Sequence, residues 1–395
     1  MRIGSIAVRT ILNSGGAPSV EVELRATTGE RAVASGPSAL APGGLERAPG
    51  AASVWDAEGA RQLARRLEAQ LAHRPFAQTS WDDELVSGLG LGTSLSVPLS
   101  VAFARLSSVV AGVPLAVWLA QDMGVDRLAD RPPAFLVALV SGGVHALGHG
   151  PAVQQVMAAI GGEDATESAR TAVELHATVR SALEDRGVLV GISASSGFVT
   201  RGLPSSEAIR FTSDLLREAP NVTVAIDVAA EHLWMPPDRY DADGMSLDPQ
   251  QFSAVVADWA ADPMVTYIED PLHPDDRQGW TTLHDELPET VDLIGDDLFA
   301  TDPDRLDPAL ASGVVLKVNQ VGTVSSTIDA ARRAREVGMV TCVSHRSLET
   351  EDHFVCHLAV ATGAKYLKIG GPLRGDRTAR YNEMIRLADV MGSNT

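Results

Sequence analysis

Cysteine is scarce in this chain. Only Cys342 and Cys356 occur among 395 residues, so no disulfide framework can form, and no zinc-type cysteine spacing is present. Aromatic residues make up just 5 %, and Lys and Arg number 32 against 51 Asp and Glu, for a formal net charge of −19. A chain this acidic repels a phosphate backbone overall, which argues against a nucleic-acid or anionic-membrane partner. It does not exclude a small anion held locally by a metal and a few basic groups. Uninterrupted apolar runs are also missing. The most apolar stretch, residues 97–119, is broken by Pro98, Arg105, Ser107, Ser108 and Pro114, and reads as a buried helix rather than a membrane span. The opening MRIGSIAVRTIL has no apolar core or cleavage pattern of a secretory signal. What remains, 45 % hydrophobic and 21 % charged, predicts a soluble cytoplasmic globule of one large domain or two.

Two textures follow one another along the chain. Residues 19–24 (SVEVEL) alternate apolar and polar, Thr28-Gly29 makes a turn, and residues 31–34 return as a partner strand. Residues 35–52 are small residues, Gly and Pro, long enough for a lid loop. Leu63, Leu67 and Leu71 then mark one helix, and residues 99–110 another. SGLGLGTS at 87–94 lacks the dinucleotide fingerprint and follows no strand. Beyond about residue 125, β-branched runs at 222–226, 264–268, 291–294, 313–316, 339–343 and 366–369 alternate with helical sequence. Such βα units predict an α/β fold with a parallel sheet, of (β/α)8-barrel type, over 126–395, preceded by a smaller α+β domain over 1–125.

The informative residues sit where those strands end. Asp227, Glu269 and Asp296 close three of them; Lys317, His345 and Lys368 close the next three. A barrel delivers all six to one mouth, where active sites are built. Any one acid there could simply cap a helix. Three converging carboxylates repel one another unless a cation holds them, and hard oxygen ligands suit Mg²⁺ or Mn²⁺. A strand-end lysine beside such an ion has its ammonium disfavoured and can serve as a general base. Lys368 could otherwise be a surface lysine, and His345 a hydrogen-bonded mouth histidine. With Arg346 and Ser347, His345 offers donors to an anionic group such as phosphate.

The segments 268–272 (IEDPL), 295–298 (GDDL), 316–323 (LKVNQVGT) and 344–352 (SHRSLETED) resemble the signature segments of the enolase family. So do 18–24 (PSVEVEL), 35–38 (SGPS) and 142–146 (GGVHA), in order over nearly the whole chain. The resemblance implies a lid domain followed by a barrel that opens ββαα, and a homodimer or higher homo-oligomer. It also implies a division of labour in which a base removes the proton α to a carboxylate while Mg²⁺ holds the resulting charge. By position, Asp227, Glu269 and Asp296 would hold one Mg²⁺, with Ser38 at a second. Lys317 would be the base, Lys368 would meet the substrate carboxylate, and Arg346 and Ser347 its phosphate. His145 and His345 would line the pocket.

The departures fall on one side of that chemistry. Where enolases carry a GDEGGF-like segment, this chain reads GISASSGF at 191–198, and Ser195 takes the place of the acid. The glutamate of the QEF segment has become Gln155. The DSRGNP opening is NSGGAP at 13–18, the glycine after SHRS is Leu348, and SGASTG is SGPSAL at 35–40. Losing a positioned general acid typically costs about 10²- to 10⁴-fold. The expectation is therefore a divergent Mg²⁺-dependent enolase-like enzyme for a 2-phosphoglycerate- or phosphoenolpyruvate-type phospho- or phosphono-carboxylate. One enolase-like family with such a role is carboxyphosphonoenolpyruvate synthase, of phosphonate and phosphinate antibiotic biosynthesis. A phosphopyruvate hydratase with relocated acid catalysis and an inactive enolase-fold binding protein stand as alternatives.

Overall fold

The computed structural model describes residues 1–37, 57–125, 128–146 and 148–393. The predicted lid at 35–52, with Ser38, lies mostly outside the described residues.

Strands β1 (Ile3–Leu12), β2 (Pro18–Ala26) and β3 (Arg31–Ser35) form an antiparallel meander. Ile6, Val8, Val20, Val22 and Leu24 are buried, while Arg9 on the opposite face bonds Glu21 at 3.0 Å and Glu23 at 2.8 Å. The sequence pattern missed β1. Its pairing slips between Ile3 and Ser5, and such an irregularity interrupts the two-residue alternation a strand is recognised by. Helices α1 (Ala57–Leu71), α2 (Gln78–Asp83), α3 (Thr93–Ala111) and α4 (Leu115–Asp122) complete this part. The apolar run at 97–119 is thus two helices and not one. The break falls at Gly112, whose φ of +68° ends α3 in a left-handed cap. Among the described residues α3 is the one helix long and apolar enough to cross a membrane, and most of it is buried within the fold.

The rest is a (β/α)8 barrel. Its strands are β4 (Ala134–Ser141), β5 (Gln155–Ile160), β8 (Val222–Asp227), β12 (Val265–Glu269), β13 (Asp292–Gly295), β14 (Gly313–Leu316), β15 (Val340–Ser344) and β16 (Tyr366–Lys368). Pairing of β16 with β4 closes the ring. Only β5 runs antiparallel to its neighbours, and α5 (Ala165–Asp185) and α6 (Ser205–Leu216) come next, giving the ββαα opening. A hairpin of β6 (Leu189–Ile192) and β7 (Phe198–Thr200) extends the end of β4. A small sheet of β9 (Trp234–Met235), β10 (Arg239–Ala242) and β11 (Met245–Leu247) precedes α7 (Pro249–Ala260). Then α8 (Arg277–Glu286), α9 (Val318–Val321), α10 (Val324–Glu336), α11 (Phe354–Thr362) and α12 (Gly375–Ser393) complete the order. β4 and β5 lacked a sequence signal for a physical reason. AFLVALVS and QVMAAI are buried almost throughout, so neither alternates.

The barrel is filled, not hollow. Leu136, Met157, Ala225, Tyr267, Ile294, Val315, Cys342 and Tyr366, one from each strand, form a single buried cluster. Cys342 is therefore a space-filling thiol.

Candidate active site

Side chains in a strand alternate faces, so the residue two positions nearer the mouth than each interior residue also points inward. Counting on from Ala225, Tyr267, Ile294, Val315, Cys342 and Tyr366 gives Asp227, Glu269, Asp296, Lys317, Ser344 and Lys368. On the antiparallel strand the count runs backwards, from Met157 to Gln155. Register sets these in rows: Gln155 pairs with Asp227, Asp227 with Glu269, and Ser344 with Lys368. Two-residue periodicity alone thus supplies an acidic and basic layer on top of an apolar one.

The charges in that layer are paired. Lys368 Nζ donates to Asp227 Oδ2 at 2.6 Å and to Glu269 at 2.9 and 3.0 Å. Lys317 Nζ donates to Asp296 Oδ2, and Gln320 Nε2 donates to the other oxygen at 2.9 Å. Tyr267 donates to Glu269 from below at 2.6 Å, and Gln154 Nε2 donates to Asp227 at 3.2 Å. Burial pushes Glu269 above the usual carboxylate range even beside Lys368. Burial opposes the charge of Asp296 as well, but Lys317 and then Lys368 draw it below its ordinary value. Lys368 is raised, because Asp227 and Glu269 outweigh the desolvation of its ammonium.

A second set of residues at the cleft is neutral. His145 Nε2 lies 3.1 Å from Ser347 Oγ, and its Nδ1 lies 3.3 Å from Gln155 Nε2. The amide can only donate, so Nδ1 accepts and the ring proton sits on Nε2. Desolvation lowers His145 to about 4. His345 Nδ1 bonds the carbonyl of Lys368 at 2.7 Å, and burial holds the ring well below its ordinary value, so this imidazole is neutral too. Arg346 and Ser347 line the cleft with His145, Gln155, Asp227, Asp296, Lys317, His345 and Lys368. Ser195 does not line it. Its hydroxyl continues a buried chain, 3.0 Å from Ser193 Oγ, which is in turn 2.9 Å from Ser141 Oγ.

Residues of the N-terminal α+β region bond to the segment 349–352, next to the cleft. Ser14 accepts from the Glu349 backbone N–H at 3.1 Å and returns its own N–H to the Glu349 carbonyl at 2.6 Å. Asp352 is bidentate to Arg105 at 2.7 and 2.8 Å and accepts from the Ser35 backbone at 3.1 Å. Two departures from the enolase pattern meet at the first contact. A Cβ on Gly15 would lie 2.8 Å from Leu348 Cδ2, so the larger residue at 348 occupies room that the glycine leaves.

Several contributors carried no separate signal in the sequence. Gln154 and Gln320 are amides that steady acids, and nothing in their spacing marks them. Asp270, which follows Glu269 directly, accepts from the backbone N–H groups of Asp296 and Asp297 at 2.8 Å each, fixing the end of β13. Asp297 lines the cleft, and burial, then Asp296, raises it to about 6. Arg377 is fully buried and donates to the carbonyls of Arg346 and Ser347 at 3.1 and 2.9 Å.

Three buried carboxylates with no sulfur or imidazole among them make a hard-oxygen donor set, which fits Mg²⁺. Asp227, Glu269 and Asp296 are the residues the sequence reading puts forward for it. Fold and mouth together define a (β/α)8-barrel protein with a carboxylate-and-lysine centre. Residues 132–395 match the family described as Enolase, C-terminal TIM barrel domain. A protein named Enolase from Mycobacteroides abscessus is 33 % identical over 98 % of this chain and 94 % of its own length. The chain belongs to the enolase family.

Proposed function

We propose that the chain is a Mg²⁺-dependent enolase-type enzyme of the carboxyphosphonoenolpyruvate synthase kind. It removes the proton α to the carboxylate of a 2-phosphoglycerate-like substrate and expels a group that needs no protonation. The observation that carries this reading is the charge asymmetry of the mouth. The acids and lysines are retained, whereas Gln155, His145 and Ser347 meet without a carboxyl group.

Asp227, Glu269 and Asp296 would hold the ion, and Ser38 a second one. Bound Mg²⁺ supplies positive charge where the substrate carboxylate gains negative charge. Lys317 takes the α-proton, for which it must first give up the proton it shares with Asp296. Lys368 meets the substrate carboxylate, and Arg346 with Ser347 grips the phosphate or phosphonate. His145 and His345 line the pocket as neutral hydrogen-bond partners, a state their desolvation favours. Gln155 replaces an acid at the cleft by a neutral group, which lowers repulsion towards a second anionic substrate; Ser195, in the place of the other acid, is sealed from the cleft. Residues 1–125 would act as the capping unit over 126–395, in a cytoplasmic homodimer or higher homo-oligomer.

The test is to offer 2-phosphoglycerate with Mg²⁺, alone and then with a nucleotide-activated phosphonoformate. Turnover only in the two-substrate mixture is expected. A second reading, phosphopyruvate hydratase with a relocated acid, is favoured by the name of the Mycobacteroides relative. Dehydration of 2-phosphoglycerate alone at about 10 s⁻¹, an ordinary enzymatic rate, would select that reading instead.

A further inference from the structure

A second cluster of potential ligands lies away from the mouth, where α11 meets α12. His353 is the N-cap of α11 and His357 follows one turn later, so both imidazoles share one helix face. Glu383 of α12 faces them. Its Oε1 lies 3.0 Å from His357 Nε2 and 3.6 Å from His353 Nδ1. The other oxygen, Oε2, is taken by Arg386 at 2.8 Å, which leaves Oε1 as a single ligand atom. His353 Nδ1 is buried and makes no hydrogen bond among the described residues, because 3.6 Å is too long for one.

We propose that His353, His357 and Glu383 form a binding site for a divalent cation of the zinc class, which clamps α11 to α12. The ligating atoms of the three residues all lie within 4.8 Å of one another. Two imidazole nitrogens and one carboxylate oxygen suit Zn²⁺ or Co²⁺, whereas the all-oxygen set at the mouth suits Mg²⁺. Bonds of about 2.0–2.1 Å in a tetrahedron put neighbouring ligand atoms roughly 3.3 Å apart. The observed 3.0 and 3.6 Å bracket that separation. An ion there gives the buried His353 nitrogen the partner it lacks, and it leaves a fourth position for water. His353, whose side chain is 34 % exposed, gives solvent access to that position. Arg105, the positive group beside His353, opposes a cation there, and the carboxylate of Asp352, bidentate to it, offsets part of that charge.

The experiment uses the untagged full chain, stripped with chelator and then held in excess Mg²⁺ so that oxygen sites stay occupied. Titration with Co²⁺ should give a visible band of tetrahedral type that saturates at one equivalent and is displaced by Zn²⁺. Zn²⁺ should also raise the melting temperature, since it binds the folded state alone. His353→Gln, at a partly exposed position, should keep the metal-free melting temperature and lose the band. Glu383→Gln should lose it too, while Asp296→Asn should retain it. No band, a band that survives His353→Gln, or one that vanishes in Asp296→Asn would each overturn the proposal.

Discussion

Asp227, Glu269 and Asp296 share the barrel mouth with Lys317 and Lys368, while His145, Gln155 and Ser347 meet at the same cleft without an ionised group. The first set is expensive to keep. Replacing buried ion pairs by apolar residues of similar volume is often neutral or stabilising, so packing alone does not account for five charged side chains in this layer. The proposed function accounts for it: charge is kept where a proton and a cation would be handled. The second set is neutral by composition at Gln155 and by desolvation at His145. A family relationship that spans nearly the whole chain thus coexists with a division inside one cleft, and on the proposed function the division bears on the second half of the reaction.

Changes to the charged set should have the largest effects. Lys317→Ala should slow exchange of the substrate α-proton with solvent deuterium by about 10²- to 10⁴-fold, read by NMR, with Mg²⁺ affinity little changed. Persisting exchange would move the base to another residue, Lys368 first. Lys368→Met leaves Asp227 and Glu269 buried with no ammonium, and in the absence of Mg²⁺ it should cost about 3–5 kcal/mol in urea unfolding. A cost that excess Mg²⁺ does not reduce would show that the acids do not take up the ion.

The neutral set should respond more gently. Gln155→Glu puts a carboxylate beside His145 and should move its titration up from about 4 towards neutrality. It should also raise dehydration of 2-phosphoglycerate. In the native chain His145 binds a proton more readily once unfolded. Stability should therefore fall as pH drops from about 6.5 towards about 4, and Gln155→Glu should flatten that fall. The smallest effect belongs to the contact between Gly15 and Leu348. Gly15→Ala should destabilise by only about 0.5 kcal/mol, because the partly exposed Leu348 side chain can move aside, and Leu348→Ala should relieve it. Additive losses in the double variant would mean the two positions are independent.

How much of this was legible in the sequence follows from the same geometry. The acids and lysines stand at strand ends, and a closed parallel ring collects strand ends whatever the loops do, so their meeting could be foreseen. The bulged β1 and the fully buried β4 and β5 hid from alternation, because that signal requires one face in and one face out. Gln154 and Gln320 were invisible because a supporting amide has no characteristic spacing. Ser195 illustrates the opposite case. Alignment with the family pattern sets it in the place of an acid, but the fold seals its hydroxyl against Ser193, 1 % exposed. Sequence position and access to the cleft are separate properties.

On the proposed mechanism Lys317 removes an α-proton while no carboxylic acid assists departure of the leaving group. Its most direct test is the native chain with 2-phosphoglycerate and Mg²⁺ in deuterated buffer, following deuterium incorporation and phosphoenolpyruvate formation in the same sample. Incorporation at the α-carbon should far outpace product. Phosphoenolpyruvate appearing as fast as deuterium enters, at rates on the order of 10 s⁻¹, would contradict it.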